Sequence, residues 1–304
     1  MSGAQQRSSV RLGVVLPQAE IRRTDPDEVL SFAQRAEAGG FDHLLAFEHV
    51  LGADSRARPG WDGPYDHTVP FLEPLVLFGF LGAATGLEFV TGILVLPQRQ
   101  TALVAKQVAT LDLLLRGRLR LGVGIGWNQV EYAALGADFA TRARRMEEQI
   151  TLLRQLWAAE SVDYAGRFDV IEAAGINPRP ARPVPLWIGC GDSRPALERV
   201  GRLADGWIPH PGLGDGERLA AAWALVREAA ERAGRDPGAL GLEGQVRLSE
   251  PGADAGARLE RWLGYGATHV SVNTLGAGLS WPQGHLEAAR AVAGQWRGIL
   301  QAGV

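Results

Sequence analysis

The 304-residue chain alternates strand-like and helix-like segments from end to end, and this alternation bounds its fold more tightly than any single motif. Short apolar runs at 10–17, 42–49, 87–96, 119–124, 186–189, 206–209, 240–248 and 268–273 read as strands. Between and after them, the segments 25–39, 73–85, 101–115, 141–159, 193–204, 216–233, 253–264 and 285–300 read as helices. The first helix carries its own punctuation: Asp25 as N-cap, Pro26 at the first helical position, Gly39-Gly40 as the stop. About eight β/α units joined by right-handed crossovers predict an α/β fold, a (β/α)8 TIM barrel, with an open doubly wound sheet as the competing arrangement. The barrel is favoured because long irregular insertions, 51–71 above all, follow strand ends, where barrel enzymes build their sites. No linker splits the chain, so one domain is expected over 1–304, with 1–9 as a disordered lead-in and 160–185 as an irregular Pro-rich connection.

Composition removes several function classes. Hydrophobic residues make up 46% and charged residues 21%, as in ordinary globular domains, and the formal net charge is only −3. Without a basic face or charge block, a nucleic-acid partner is not expected. The longest apolar run, 74–84, is too short and too rich in glycine for a membrane span, and the N-terminus lacks the apolar core of a signal peptide. A lone cysteine, Cys190, forms no internal disulfide, which together predicts a cytoplasmic protein. Six histidines without close metal spacing, and no cysteine cluster, predict no metal.

Two glycine-rich strand exits carry most of the remaining information. RLRLGVGIGWNQVEYAALG, at 118–136, places Gly122, Gly124 and Gly126 at single-residue spacing before Trp127. Alone it fits a phosphate loop, a turn or one wall of a cofactor site. It is not the dinucleotide fingerprint, which needs G-x-G-x-x-G in the first β/α turn. LWIGCGDSR, at 186–194, sets Gly189, Cys190, Gly191, Asp192 and Ser193 between a strand and a helix N-terminus. That end can bind an anion or simply be capped by Asp192 or Ser193. Cys190 reads as a small buried residue, because no base can be placed beside it. His49, behind Glu48 at the end of the second strand, either faces a barrel mouth as a proton donor or caps a strand end. Gly92, inside the third strand, marks a bulge, a close approach or a packing position.

Together these residues resemble the luciferase-like monooxygenase superfamily, and within it the oxidoreductases that use the deazaflavin coenzyme F420. The likeness is carried by LGVVLPQ at 12–18, EAGGFDHLLAFEHV at 37–50, EPLVLFGFLGAATGLEFVTGILVLPQR at 73–99, the 118–136 segment and VPLWIGCGDSRPALERVGRLADGWIP at 184–209. It implies a (β/α)8 barrel with a flavin-like ring standing in its mouth. It also implies a third-strand bulge with a cis peptide at Gly92–Ile93 behind the ring, and an acid–histidine pair, Glu48 and His49, beside it. By the same resemblance Gly189, Cys190, Gly191, Asp192 and Ser193 bind the cofactor phosphate. Gly124, Gly126 and Trp127 line the ring and its side-chain channel, and His49 protonates an intermediate or orients the cofactor.

The implied reaction is F420-dependent hydride transfer to or from a small organic substrate. Alternatives within the resemblance are an FMN-dependent two-component monooxygenase and a non-catalytic relative that only binds the cofactor. Trp127 departs from the sugar-phosphate dehydrogenases of the family, some of which carry an acid just after the glycines, and Glu131 lies one turn further on. Residues 51–71, with Trp61, Tyr65, Asp66 and His67, are expected to form a lid. The resemblance further implies a homodimer built on the helices at 73–85 and 101–115.

Overall fold

The computed structural model describes residues 10–21, 25–250 and 254–302; the expected lead-in at 1–9 lies outside the described residues. Nine parallel strands are ordered β3 (Glu88–Thr91), β2 (His43–Ala46), β1 (Arg11–Val15), β11 (His269–Asn273), β10 (Gly241–Arg247), β9 (Gly206–Pro209), β8 (Leu186–Cys190), β5 (Leu119–Gly124) and β4 (Leu94–Val95). A further pairing of β3 with β5 closes the sheet. Strands β3 and β4 are the two halves of one stave interrupted at Gly92–Ile93, so the ring is an eight-stave parallel barrel, as the alternation predicted.

The crossover helices are α1 (Pro26–Ala38), α2 (Pro74–Gly82), α3 (Thr101–Leu114), α5 (Arg142–Ala158), α6 (Arg194–Leu203), α7 (Glu217–Arg232), α8 (Ala255–Gly264) and α9 (Gln283–Ala302), with a short α4 (Gln129–Ala134) after β5. Asp25 caps α1 by accepting the Asp27 amide at 2.9 Å, as its position suggested. The connection at 160–185 corrects the expectation of irregular chain: it holds an antiparallel hairpin, β6 (Val162–Ala165) and β7 (Val170–Ala174). The hairpin is largely exposed, so its strands lack the apolar alternation that marks half-buried strands in sequence.

Side chains alternate across each stave. Those pointing outward, such as Val14, Leu44 and Phe89, join the large core shared with the helices. Those pointing inward form two layers. Toward the C-terminal end lies an apolar plug of Val15, Leu45, Val90, Trp187, Ile208 and Leu275, with Phe47 and Ile93 against it. Beneath it, buried polar groups interlock. Arg120 donates to Glu243 at 2.6 Å, Ser271 donates to the same carboxylate at 2.6 Å, and His43 lies 3.0 Å from it. Arg120 also stacks 4.4 Å above the Trp187 ring. The barrel interior is therefore a packed core, closed below the mouth.

Candidate functional site at the barrel mouth

The break in the third stave shapes the mouth. The Gly92–Ile93 peptide is cis, the geometry the family resemblance implied. The ladder lost there is replaced by Thr91, whose hydroxyl donates to the Gly122 carbonyl at 2.7 Å and accepts the Gly122 amide at 2.9 Å. Beyond the break, the Val95 amide donates to Glu48 at 2.5 Å, and Arg99 bridges that carboxylate to Glu73. Glu48 is held against the broken stave by these bonds and is 4% exposed. Burial lifts its pKa above the usual carboxylate value, although Arg99 and the Val95 amide pull the other way.

The glycines of the two strand exits have a common occupant. A Cβ on Gly124 would stand 2.7 Å from Cδ1 of Ile93, and one on Gly189 would stand 2.3 Å from its Cγ2. Ile93 thus leaves the broken stave and lies across both neighbouring exits, filling space that the sequence suggested as a bare channel. Gly92 itself is demanded by Leu45, 2.2 Å from where its Cβ would be. Gly126 adopts a φ of 61°, in the left-handed region, and turns the chain toward Trp127. The resulting floor of Ile93, Leu45, Val90 and Ile208 is apolar and side-chain tight.

His49 stands at the edge of this floor. Its Nδ1 lies 3.7 Å from Glu131, and the rings of Phe71, Trp127 and Tyr65 surround it at centroid distances of 4.8, 5.5 and 5.4 Å. Glu131 accepts the Val50 amide at 2.5 Å, the Leu51 amide at 3.2 Å and the Gln98 side-chain amide at 2.9 Å. Burial works to raise the Glu131 pKa, but the facing His49 ring and hydrogen bonds from Gln98 and Val50 together hold it below the usual carboxylate value. With Nδ1 on the Glu131 side, Nε2 has no protein partner among the described residues. The sequence treated Glu131 only as a displaced acid and so missed its place behind His49.

Residues 51–71 fold over His49 and are fastened at both roots. At one end Glu131 holds Val50 and Leu51, while Asn128, the N-cap of α4, donates to the Leu51 carbonyl at 3.4 Å. At the other, the buried Gln18 donates to Phe47 at 2.5 Å and accepts the Leu72 amide at 3.2 Å. Trp61 rests on Trp127 with centroids 5.8 Å apart. Under the lid, between His49, Tyr65 and Phe71, lies a cavity of about 140 Å³.

The Gly189–Ser193 loop lies apart from His49, three staves round the barrel. Ser193 precedes α6 without a side-chain cap bond, and a Cβ on Gly191 would meet nothing within 4 Å, so the loop is open beside an uncapped helix start. Asp192 is paired outward with Arg218 and does not cap the helix. Burial pushes the Cys190 thiol up to about 12, which keeps it protonated and unreactive at neutral pH. No group of three or more His, Cys, Asp or Glu suited to a metal occurs among the described residues, and no helix there is long and apolar enough to cross a membrane.

Comparison with known proteins places this architecture. The luciferase-like monooxygenase family matches residues 8–300. An F420-dependent hydroxymycolic acid dehydrogenase of Mycobacterium tuberculosis is 31% identical over 77% of this chain and 61% of its own length. An F420-dependent glucose-6-phosphate dehydrogenase of Microbacterium testaceum is 33% identical over 62% of this chain and 53% of its own. This chain thus spans less than two thirds of either protein. The fold is shared with an F420-dependent secondary alcohol dehydrogenase solved with an F420–acetone adduct, at a TM-score of 0.73 and 18% identity over 95% of this chain and 99% of that one. With its closed barrel, broken third stave and near end-to-end family match, the chain belongs to the luciferase-like monooxygenase family.

Proposed function

We propose that this protein is an F420-dependent oxidoreductase that transfers hydride to or from a small organic substrate at the barrel mouth. The observation that carries the reading is the His49 site: an imidazole with Nδ1 toward Glu131 and Nε2 unclaimed, at the rim of an apolar floor built on Ile93. The residues fit a deazaflavin. Ile93, Leu45 and Ile208 offer an apolar face for a tricyclic ring, and the uncapped start of α6 beside the open Gly191 suits a phosphate. Bound there, the cofactor supplies the hydride-carrying carbon. The chain's own groups orient the ring, exclude water with the 51–71 lid, and turn the unclaimed Nε2 of His49 to the mouth, where it can take up and return a proton while Nδ1–H faces Glu131.

Names of relatives at 31% and 33% identity support F420 over FMN. Equilibrium titration with F420 and with FMN tests the choice, and tight FMN retention without F420 binding would overturn it in favour of a monooxygenase. His49→Ala should slow hydride transfer by about a hundredfold while leaving cofactor affinity within a few-fold. Binding of F420 with no turnover of enones, imines or alcohols would favour the non-catalytic reading.

A homodimer through α2 and α3 belongs to the same proposal. These helices expose Val76 at 73%, Phe80 at 46%, Leu113 at 54% and Leu114 at 59%, an apolar surface that a second copy would cover. Sedimentation should give a dimer for the native protein and a monomer for the double variant Val76→Glu, Phe80→Glu. A native monomer would end the proposal.

A further inference from the structure

Strand β10 sends Glu243, Gln245 and Arg247 into the barrel, while Leu242 and Val246 face the helices in the outer core. Glu243 lies in the polar layer beneath the plug, so Arg247, four residues on, stands at the mouth. The stave order sets it across the mouth from the Gly92–Ile93 break, with β9 between it and β8, the strand that carries the Gly189–Ser193 loop.

Arg247 is a cation of this rim without an ion-pair partner among the described residues. Its Nε is buried without a hydrogen-bond partner. The two acids that share its cleft are engaged elsewhere. Glu250 pairs with Arg258, and Asp215 lies 2.9 Å from Arg261. His210, on the same cleft, has its Nδ1 committed to the Gly212 amide at 3.1 Å. The phenol of Tyr65, in the lid, lies within electrostatic reach of the guanidinium. A partly buried guanidinium without a counter-charge is costly, and an anion that arrives with a ligand relieves that cost. The cleft measures about 20 Å³, room for one oxygen of an anionic head group in place of a water.

We propose that Arg247 anchors a carboxylate or phosphate group of the substrate, across the mouth from the Gly92–Ile93 bulge. The proposal rests on the reading of this mouth as the redox site and narrows it to anionic substrates. The same chemistry could come from the cofactor's own phosphate, and the test separates the two sources.

Protein loaded with F420, or with FMN if that is the cofactor held, is titrated calorimetrically with inorganic phosphate and with benzoate. The loaded native protein should bind at least one of them at a single site. Arg247→Met should weaken that binding about tenfold or more, with cofactor affinity changed less than about twofold. Arg247→Lys, which keeps the charge and guards against misfolding of the Met variant, should lose less. Three results would overturn the proposal: neither anion binds the loaded native protein, Arg247→Met binds them as well as native, or cofactor affinity alone falls tenfold. Failure to bind either cofactor would sink the functional reading separately, and the same anion titration on bare protein would still judge Arg247.

Discussion

At the scale of single residues, Glu131 illustrates how one carboxylate can serve a lid and a catalytic group together. Its hydrogen bonds to the Val50 and Leu51 amides fix the chain just after His49, and its charge faces the imidazole. Glu131→Gln keeps the shape but removes the charge. We expect hydride transfer to fall about tenfold or more, and unfolding free energy to drop by about 1.5–3 kcal/mol, as for hydrogen bonds to a charged group. Nitrogen-15 spectra of the native ring should show the Nδ1–H tautomer, with a mixture in the variant; an unchanged tautomer would remove Glu131 from the positioning role. Locally, Asn128-Gln129-Val130-Glu131 has the spacing of a capping box. Asn128 does cap α4, accepting the Val130 amide at 3.0 Å. Glu131 is diverted to a loop some 80 positions away in sequence, and nothing in the local pattern signals that.

At the scale of elements, the interrupted third stave organises its neighbours. Ile93 needs the bare backbone of both Gly124 and Gly189, so three staves are mutually dependent. Gly189→Ala should cost about 1–3 kcal/mol through overpacking, measured by urea unfolding. Ile93→Ala added to it should recover part of that loss, because the clashing methyl is gone. Additive losses in the double variant would show that the two positions do not share this space. The sequence marked Gly92 as a bulge, a close approach or a packing position and showed glycine-lined exits at 124 and 189, but nothing linked them. Each glycine fitted several local explanations, and only the packing of one side chain across two strands selects among them.

At the scale of the whole molecule, the buried polar layer under the plug makes stability depend on pH. His269 sits there between Arg120, His43 and Trp187, and burial, with Arg120 adding to it, lowers its pKa from 6.5 to about 2. The unfolded chain takes up a proton as pH falls through about 6.5 and the folded chain does not, so acidification favours unfolding. His269 alone should lower the unfolding free energy by about 1.4 kcal/mol between about pH 7.5 and about pH 5.5, and His285, also lowered by burial, adds to the same slope. Glu243, held well below its usual value against burial by His43 and Arg120, adds a further loss below about pH 4.5. His269→Gln should remove that share of the slope and leave the part due to His285; an unchanged slope in that variant would assign it elsewhere.

The sequence by itself determined the barrel, because strand and helix periods repeat along the chain and survive without knowledge of contacts. It also put His49 and Gly189–Ser193 at strand ends, which in such a barrel share one face. Tertiary structure alone decided what those positions do. Glu48 turns inward because the broken stave leaves the Val95 amide to satisfy. Ile93 fills the glycine exits, Glu131 backs His49, and Arg247 is left without a counter-charge. Each of these depends on partners distant in sequence, and local pattern records periodicity and capping but not which distant group arrives.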